Sequence, residues 1–134
     1  MDKGKFFLFG LIFFSLSSFS QARELSDSVR ETQRLLLQYH DAQLNTIYKR
    51  IQKRFARDTY ALRLLNEAER SWIRYRDTEC AFQGVSGGGG DGTFSADLLC
   101  LDNLTRQRIK DLKIYLTCEK NELNCPVPVF SETP

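Results

Sequence analysis

LNEAERSWIRYRDTEC, residues 65–80, decides the fold. From one turn earlier, Leu62, Leu65, Ala68 or Glu69, Trp72, Arg76 and Cys80 recur at intervals of three and four, the period of one helix face. Trp72 and Arg76 stand one turn apart, so the guanidinium can lie over the indole. Asp77 and Glu79 are placed to pair with an arginine, and Arg108 is a candidate partner from another helix. The stretch reads as the central helix of a bundle, with an ion-paired cluster that fixes which helix meets which.

The flanking segments follow the same period. Upstream, Leu44, Ile47, Tyr48, Ile51 and Phe55 fall at i, i+3, i+4, i+7 and i+11, with Lys49, Arg50, Lys53 and Arg54 mostly on the other, solvated side. Ser28 and Glu31 have the spacing of a capping box, which predicts a helix start there, followed by Leu35, Leu36, Leu37 and Tyr39 and an end near His40 and Asp41. No glycine or proline stands between Asp41 and Phe82. Either Asp58 caps a new helix or one helix continues through it.

Downstream, the glycines at 84, 87–90 and 92 predict a long exposed loop over residues 84–95, with Ser86, Asp91, Thr93 and Phe94 as its candidate partner-binding side chains. Ser95 with Asp97 makes a plausible cap for a last helix, striped by Leu101, Leu104, Thr105, Ile109, Leu112 and Leu116 and ending near Cys118. Pro126 and Pro128 exclude regular helix from the tail. With no strand pattern, the expected fold is all-α: a small disulfide-stabilised bundle of three to four helices with a long glycine-rich loop before the last.

The chain's 134 residues make one domain at most. Its first 22 have the layout of a secretory signal peptide: Lys3 and Lys5, an apolar run over residues 6–16, then small and polar residues to Ala22. The apolar core over residues 6–14, interrupted by Gly10, is short against the roughly 20 residues of a spanning helix, so no stable membrane anchor is expected. The expected organisation is a leader over 1–22, an N-terminal helix over 23–40, a helical domain over 41–118 and a disulfide-tethered tail over 119–134. Removing the leader takes away Asp2, Lys3 and Lys5, which lowers the net charge from +2 to +1. So balanced a chain has no long-range field to gather nucleic acid or an anionic membrane.

All four cysteines, Cys80, Cys100, Cys118 and Cys125, lie beyond the leader, where an oxidising compartment lets disulfides persist. Three pairings exist on paper; Cys80 with Cys100 and Cys118 with Cys125 are favoured because each closes a short loop. The gaps are wide, no C-x-x-C occurs and His40 is the only histidine, so no metal site is expected. The glycine run lacks the closing Gly-Lys-Ser/Thr of a phosphate loop. Glycosidase pairs such as Glu67 with Glu69 or Asp77 with Glu79 are two apart on a helix and point to different sides. The expectation is a protein that is not an enzyme and uses no cofactor.

Taken together, these residues resemble the LprI-type domain, a family named for a lysozyme inhibitor. Leu44, Asn45 and Tyr48 are similar to its L-N-x-x-Y. Trp72, Tyr75, Arg76, Asp77 and Cys80 are similar to its W-x-x-Y-R-D-x-x-C, and Cys100, Leu104, Thr105, Arg108 and Leu112 to its C-x-x-x-L-T-x-x-R-x-x-x-L. The glycine run sits where the family has Gly-Gly-Ser. Departures are Glu69 in place of the usual Gln, Asp91-Gly92 after the glycines, and a second cysteine pair downstream rather than upstream of the L-N motif. The resemblance implies a bacterial protein of the periplasm or beyond that binds lysozyme or another envelope protein; the alternative is a general periplasmic interaction or envelope-stress module without lysozyme activity.

Overall fold

The computed structural model describes residues 6–85, 91–117 and 125–127, with side chains from residue 21 onward except those of 91–94. These residues form helices and no strand: α1 (Phe6–Arg54), α2 (Thr59–Gly84) and α3 (Asp91–Thr117). The chain divides into two compact units, 1–32 and 33–134.

In the first unit, residues 21–29 are all exposed and the side chains bond within their own helix. The Ser26 hydroxyl donates to the Arg23 carbonyl at 2.9 Å, and Arg30 pairs with Asp27. The helix start predicted at Ser28 is corrected here, because α1 runs through it. The Ser28 hydroxyl donates back to the Leu25 carbonyl at 2.9 Å instead of accepting from an amide ahead of it. That back-bonding is the alternative open to a serine inside a helix. Nor does a boundary occur near Asp41.

The second unit holds the core. Leu44, Ile47 and Ile51 from α1, with Phe55 just past its end, meet Ile109 and Leu112 from α3, and Ala61, Leu62, Leu65 and Trp72 of α2 pack against them. The upstream stripe read from the sequence is therefore the buried one. Ile51 and Leu112 are fully buried, and truncating such a side chain to alanine costs about 2–5 kcal/mol.

The question left open at Asp58 is settled by a local hydrogen bond. Its Oδ1 accepts from the Ala61 amide at 2.9 Å, so Asp58 caps α2. The Asp58 amide donates to the Phe55 carbonyl at 2.8 Å, which closes the tight turn after α1. Such a cap contributes about 1 kcal/mol, enough to start a helix where no glycine or proline marks the break.

Cross-helix pairs show the directions. Tyr48 bonds Asn66 while Asp41 bonds Arg76, so α1 and α2 run antiparallel. Glu69 with Arg108 and Cys80 with Cys100 make α2 and α3 antiparallel as well. His40 with Asp102 and Arg54 with the Leu116 carbonyl are both 62 residues apart, so α1 and α3 run parallel.

The favoured Cys80–Cys100 disulfide is present, with Cα atoms 5.4 Å apart. One turn beyond Cys80, a Cβ on Gly84 would come within 2.0 Å of Asp97 Oδ1, so a larger residue there would require the Asp97 side chain to turn aside. α3 begins at Asp91, not at the Ser95 cap predicted, which places Asp91, Gly92, Thr93 and Phe94 in its opening turn and shortens the expected loop. Ser86 and the glycines at 87–90 lie outside the described residues. α3 is helical through Thr117; its expected end near Cys118 lies outside the described residues. Cys125 is disulfide-bonded; its expected partner Cys118 lies outside the described residues. Two residues on, Val127 is buried in the core, so the tail does return to the bundle.

Candidate functional site

Three helices converge on Trp72. On α2, Glu69, Trp72 and Arg76 succeed one another at three and four residues, so their side chains share a face. α3 brings Thr105 and Arg108 to that face, and α1 brings Asp41, Asn45 and Tyr48. The Arg76 and Arg108 guanidiniums lie over the Trp72 ring at 5.3 and 5.6 Å from its centre. Both are within the range in which a cation is drawn to an aromatic face.

Each guanidinium also has an acid. Arg108 Nε and Nη2 both donate to Glu69 Oε2, at 3.0 and 2.8 Å. The two side chains are only 15% and 10% exposed, so their charges are largely removed from water and depend on each other. Arg76 donates to Asp41 Oδ1 at 3.1 Å, to the buried Thr105 hydroxyl at 3.2 Å and to Asp77 Oδ1 at 2.9 Å. It thereby touches all three helices. The alternative between Ala68 and Glu69 for the inner stripe resolves to Glu69, and Arg108 takes Glu69 as its partner instead of Asp77 or Glu79.

On the α1 side, the Tyr48 hydroxyl donates to Asn66 Oδ1, which also accepts from Gln52 Nε2 at 3.3 Å. Burial, reinforced by the Glu69 carboxylate, pushes the Tyr48 hydroxyl's pKa above the usual tyrosine value. Away from the cluster, His40 Nδ1 lies 2.5 Å from Asp102 Oδ1, and Arg106 holds the other oxygen of that carboxylate at 3.0 Å.

The motif residues fall into four groups. Tyr48, Trp72, Arg76, Thr105 and Arg108 meet, while Leu44 belongs to the core beneath them. Asn45 and Asp77 are exposed at the edge. Tyr75 faces away, more than half exposed. Asp41, Asn66 and Arg70 also line the site, although no motif marks them. The signal available for Asn66 and Arg70 was their spacing on α2, one turn apart and just off the Trp72 stripe. Of the partner-binding residues expected in the loop, Asp91, Thr93 and Phe94 are helical and Ser86 is outside the described residues.

Between α1 and α2 these side chains line an open groove of about 450 Å³. The carboxylate pairs considered for sugar hydrolysis do not converge in it: Glu67 turns to Arg63 at 3.0 Å, and Glu79 accepts from Gln83 at 2.8 Å. No group of three or more His, Cys, Asp or Glu side chains suited to a metal ion occurs among the described residues.

The chain is 38% identical over 61 residues to an uncharacterised protein, R02472, of Rhizobium meliloti (strain 1021). That alignment takes in 46% of this chain and spans only 44% of the relative's length. No solved structure matches. The family described as lysozyme inhibitor LprI matches residues 20–112, a span that takes in α1 from residue 20, all of α2 and α3 as far as Leu112. Every residue of the Trp72 cluster lies inside that span, and the chain belongs to the LprI lysozyme inhibitor family.

Proposed function

We propose that this protein is exported and acts by binding lysozyme, which it inhibits, or another envelope protein, without catalysis of its own. The family match over residues 20–112 carries the reading. It begins near the end of the leader-like segment, at residue 20, and no helix among the described residues is long and apolar enough to cross a membrane. A disulfide between Cys80 and Cys100 suits an oxidising compartment such as the periplasm.

An inhibitor must fill or cover a substrate cleft with a surface that needs little ordering on binding. In this reading the surface is built around the disulfide that joins α2 to α3, with residues 84–95 as its reach. Its base is pinned by Cys80–Cys100, and Phe82 and Val85 beside it are 75% and 77% exposed. In this reading those two apolar side chains supplement Ser86, Asp91, Thr93 and Phe94 as the surface that enters the partner.

Purified protein mixed with lysozyme and bacterial cell walls tests the proposal. Slower wall clearing with a complex on a sizing column, both weakened when residues 87–92 are shortened, is the expected result. Unchanged clearing at large molar excess, with no complex, overturns it for the lysozyme used. The mature net charge of +1 gives no overall steering toward a basic lysozyme, so association should depend weakly on salt.

A further inference from the structure

The groove between α1 and α2 is bounded by two closed rungs. At one end Tyr48 bonds Asn66; at the other Asp41 bonds Arg76. Because the helices are antiparallel, the level between those rungs is occupied by Leu44 and Asn45 from α1 and by Arg70 and Ile73 from α2, all four of which line the groove. This middle rung is open. Neither Asn45 nor Arg70 makes a hydrogen bond or ion pair among the described residues, and the Asn66 amide nitrogen and the Trp72 indole N–H donate to nothing there.

The neighbouring charges are consumed. Glu69 is held by Arg108, and Asp41 and Asp77 share Arg76. Arg70 is left as the cation of the groove without an acid, near enough for its charge to reach the Tyr48 hydroxyl. The unpaired groups are thus chiefly donors, and beside them Ile73 offers a partly exposed apolar wall. A sugar is a poor match, because two guanidiniums already lie over the Trp72 ring on which it would stack.

We infer that the open rung at Asn45 and Arg70 is a binding site for a carboxylate carried next to a small apolar group, as in an N-acylated leucine or the leucine end of a peptide chain. Arg70 and the Asn66 amide take the carboxylate, Asn45 takes the adjoining amide, and the apolar group lies on Ile73. A groove of about 450 Å³ is of the size that holds small ligands. The cluster as a whole is electrically balanced, so recognition comes from contact with Arg70 and not from a long-range field. The inference does not depend on the lysozyme reading.

The test is a titration of the purified protein with N-acetyl-leucine, followed by nuclear magnetic resonance of the Asn45 and Asn66 side-chain amides and the Trp72 indole N–H. Saturable shifts are expected, with N-acetyl-leucinamide binding about tenfold or more weaker, the worth of one charge-assisted hydrogen bond. Arg70→Gln should weaken N-acetyl-leucine by a similar factor, whereas Arg74→Gln, one turn along the exposed side of α2, should leave it unchanged. A leucine-terminated peptide that reproduces the shifts points to chain ends as the natural source, and response to the free acid alone points to small metabolites; either supports the site. No saturable shift, equal binding of the leucinamide, or unaltered binding by R70Q overturns it.

Discussion

Arg108→Ala is the substitution that most directly probes how the bundle is keyed. It removes both hydrogen bonds to Glu69 Oε2 and one of the two cations over Trp72. What remains is a carboxylate only 10% exposed, with no cation of its own. Breaking a buried pair by deleting one partner costs about 3–5 kcal/mol, and the lost cation–π contact adds roughly 0.5–1 kcal/mol. Relaxation and water entry around the stranded carboxylate offset part of this, so about 3 kcal/mol is expected. For a domain near 100 residues that is a fall in Tm of about 12–24 °C.

Glu69→Gln should cost less, about 1–2 kcal/mol, because the amide oxygen still accepts from the guanidinium while the ionic component is lost. Glu69→Leu with Arg108→Met, which replaces the pair by apolar groups of similar length, should return to within about 1 kcal/mol of the parent. Urea unfolding followed by circular dichroism, under non-reducing conditions, gives all the values needed for a double-mutant cycle. A loss below about 1 kcal/mol in R108A, or additive single effects, would refute the claim that Glu69 and Arg108 form a coupled buried pair.

Two further outcomes are expected. Replacing both Cys80 and Cys100 by serine should cost about 3 kcal/mol on the chain-entropy view, since the bridge spans 20 residues; urea midpoints within experimental error of the parent would contradict it. Tyr48 supplies the pH dependence. Its folded pKa is raised above the 10.0 of an unfolded tyrosine, so its contribution is complete below pH 10 and is lost as pH rises through the folded value. Phenolate absorbance of the folded protein should contain a late component that Tyr48→Phe removes, and that substitution should flatten the alkaline loss of stability; a late component that survives in Tyr48→Phe, or none in the parent, would rule this out.

What the residues disclosed in advance depended on the range of the interaction. The Leu44, Ile47, Ile51 and Phe55 stripe was legible because helical period is a local property, and these are the buried positions. The capping-box signal at Ser28 was equally local yet misled, since nothing in four residues excludes a helix already formed upstream. At Asp58 the same kind of signal was real. The choice of Glu69 over Asp77 or Glu79 for Arg108 was not legible, because it follows from the register of α2 against α3, which is set by pairs 20 to 39 residues apart. The open rung was hidden for the same reason: Asn45 and Arg70 become neighbours only once α1 and α2 are aligned.

The motif residues and the unpaired residues therefore do different work. Arg76 reaches Asp41 on α1 and Thr105 on α3 from its place on α2, and Arg108 reaches back from α3 to Glu69. Sliding any helix by one turn, about 5.4 Å, would separate these partners and leave charges buried without acids. Apolar side chains such as Leu44, Ile47 and Ile51 tolerate such a slip far better, because burial is non-directional. The motif thus specifies alignment where the core alone is permissive, and a protein that carries it inherits the bundle before it inherits a partner. In the readings proposed above, binding falls to what the alignment leaves unsatisfied: Asn45 and Arg70 in the groove, and Phe82 and Val85 beside the disulfide. Substitutions at those four positions should alter recognition with little change in stability, whereas substitutions at Arg76 or Arg108 should disturb both together.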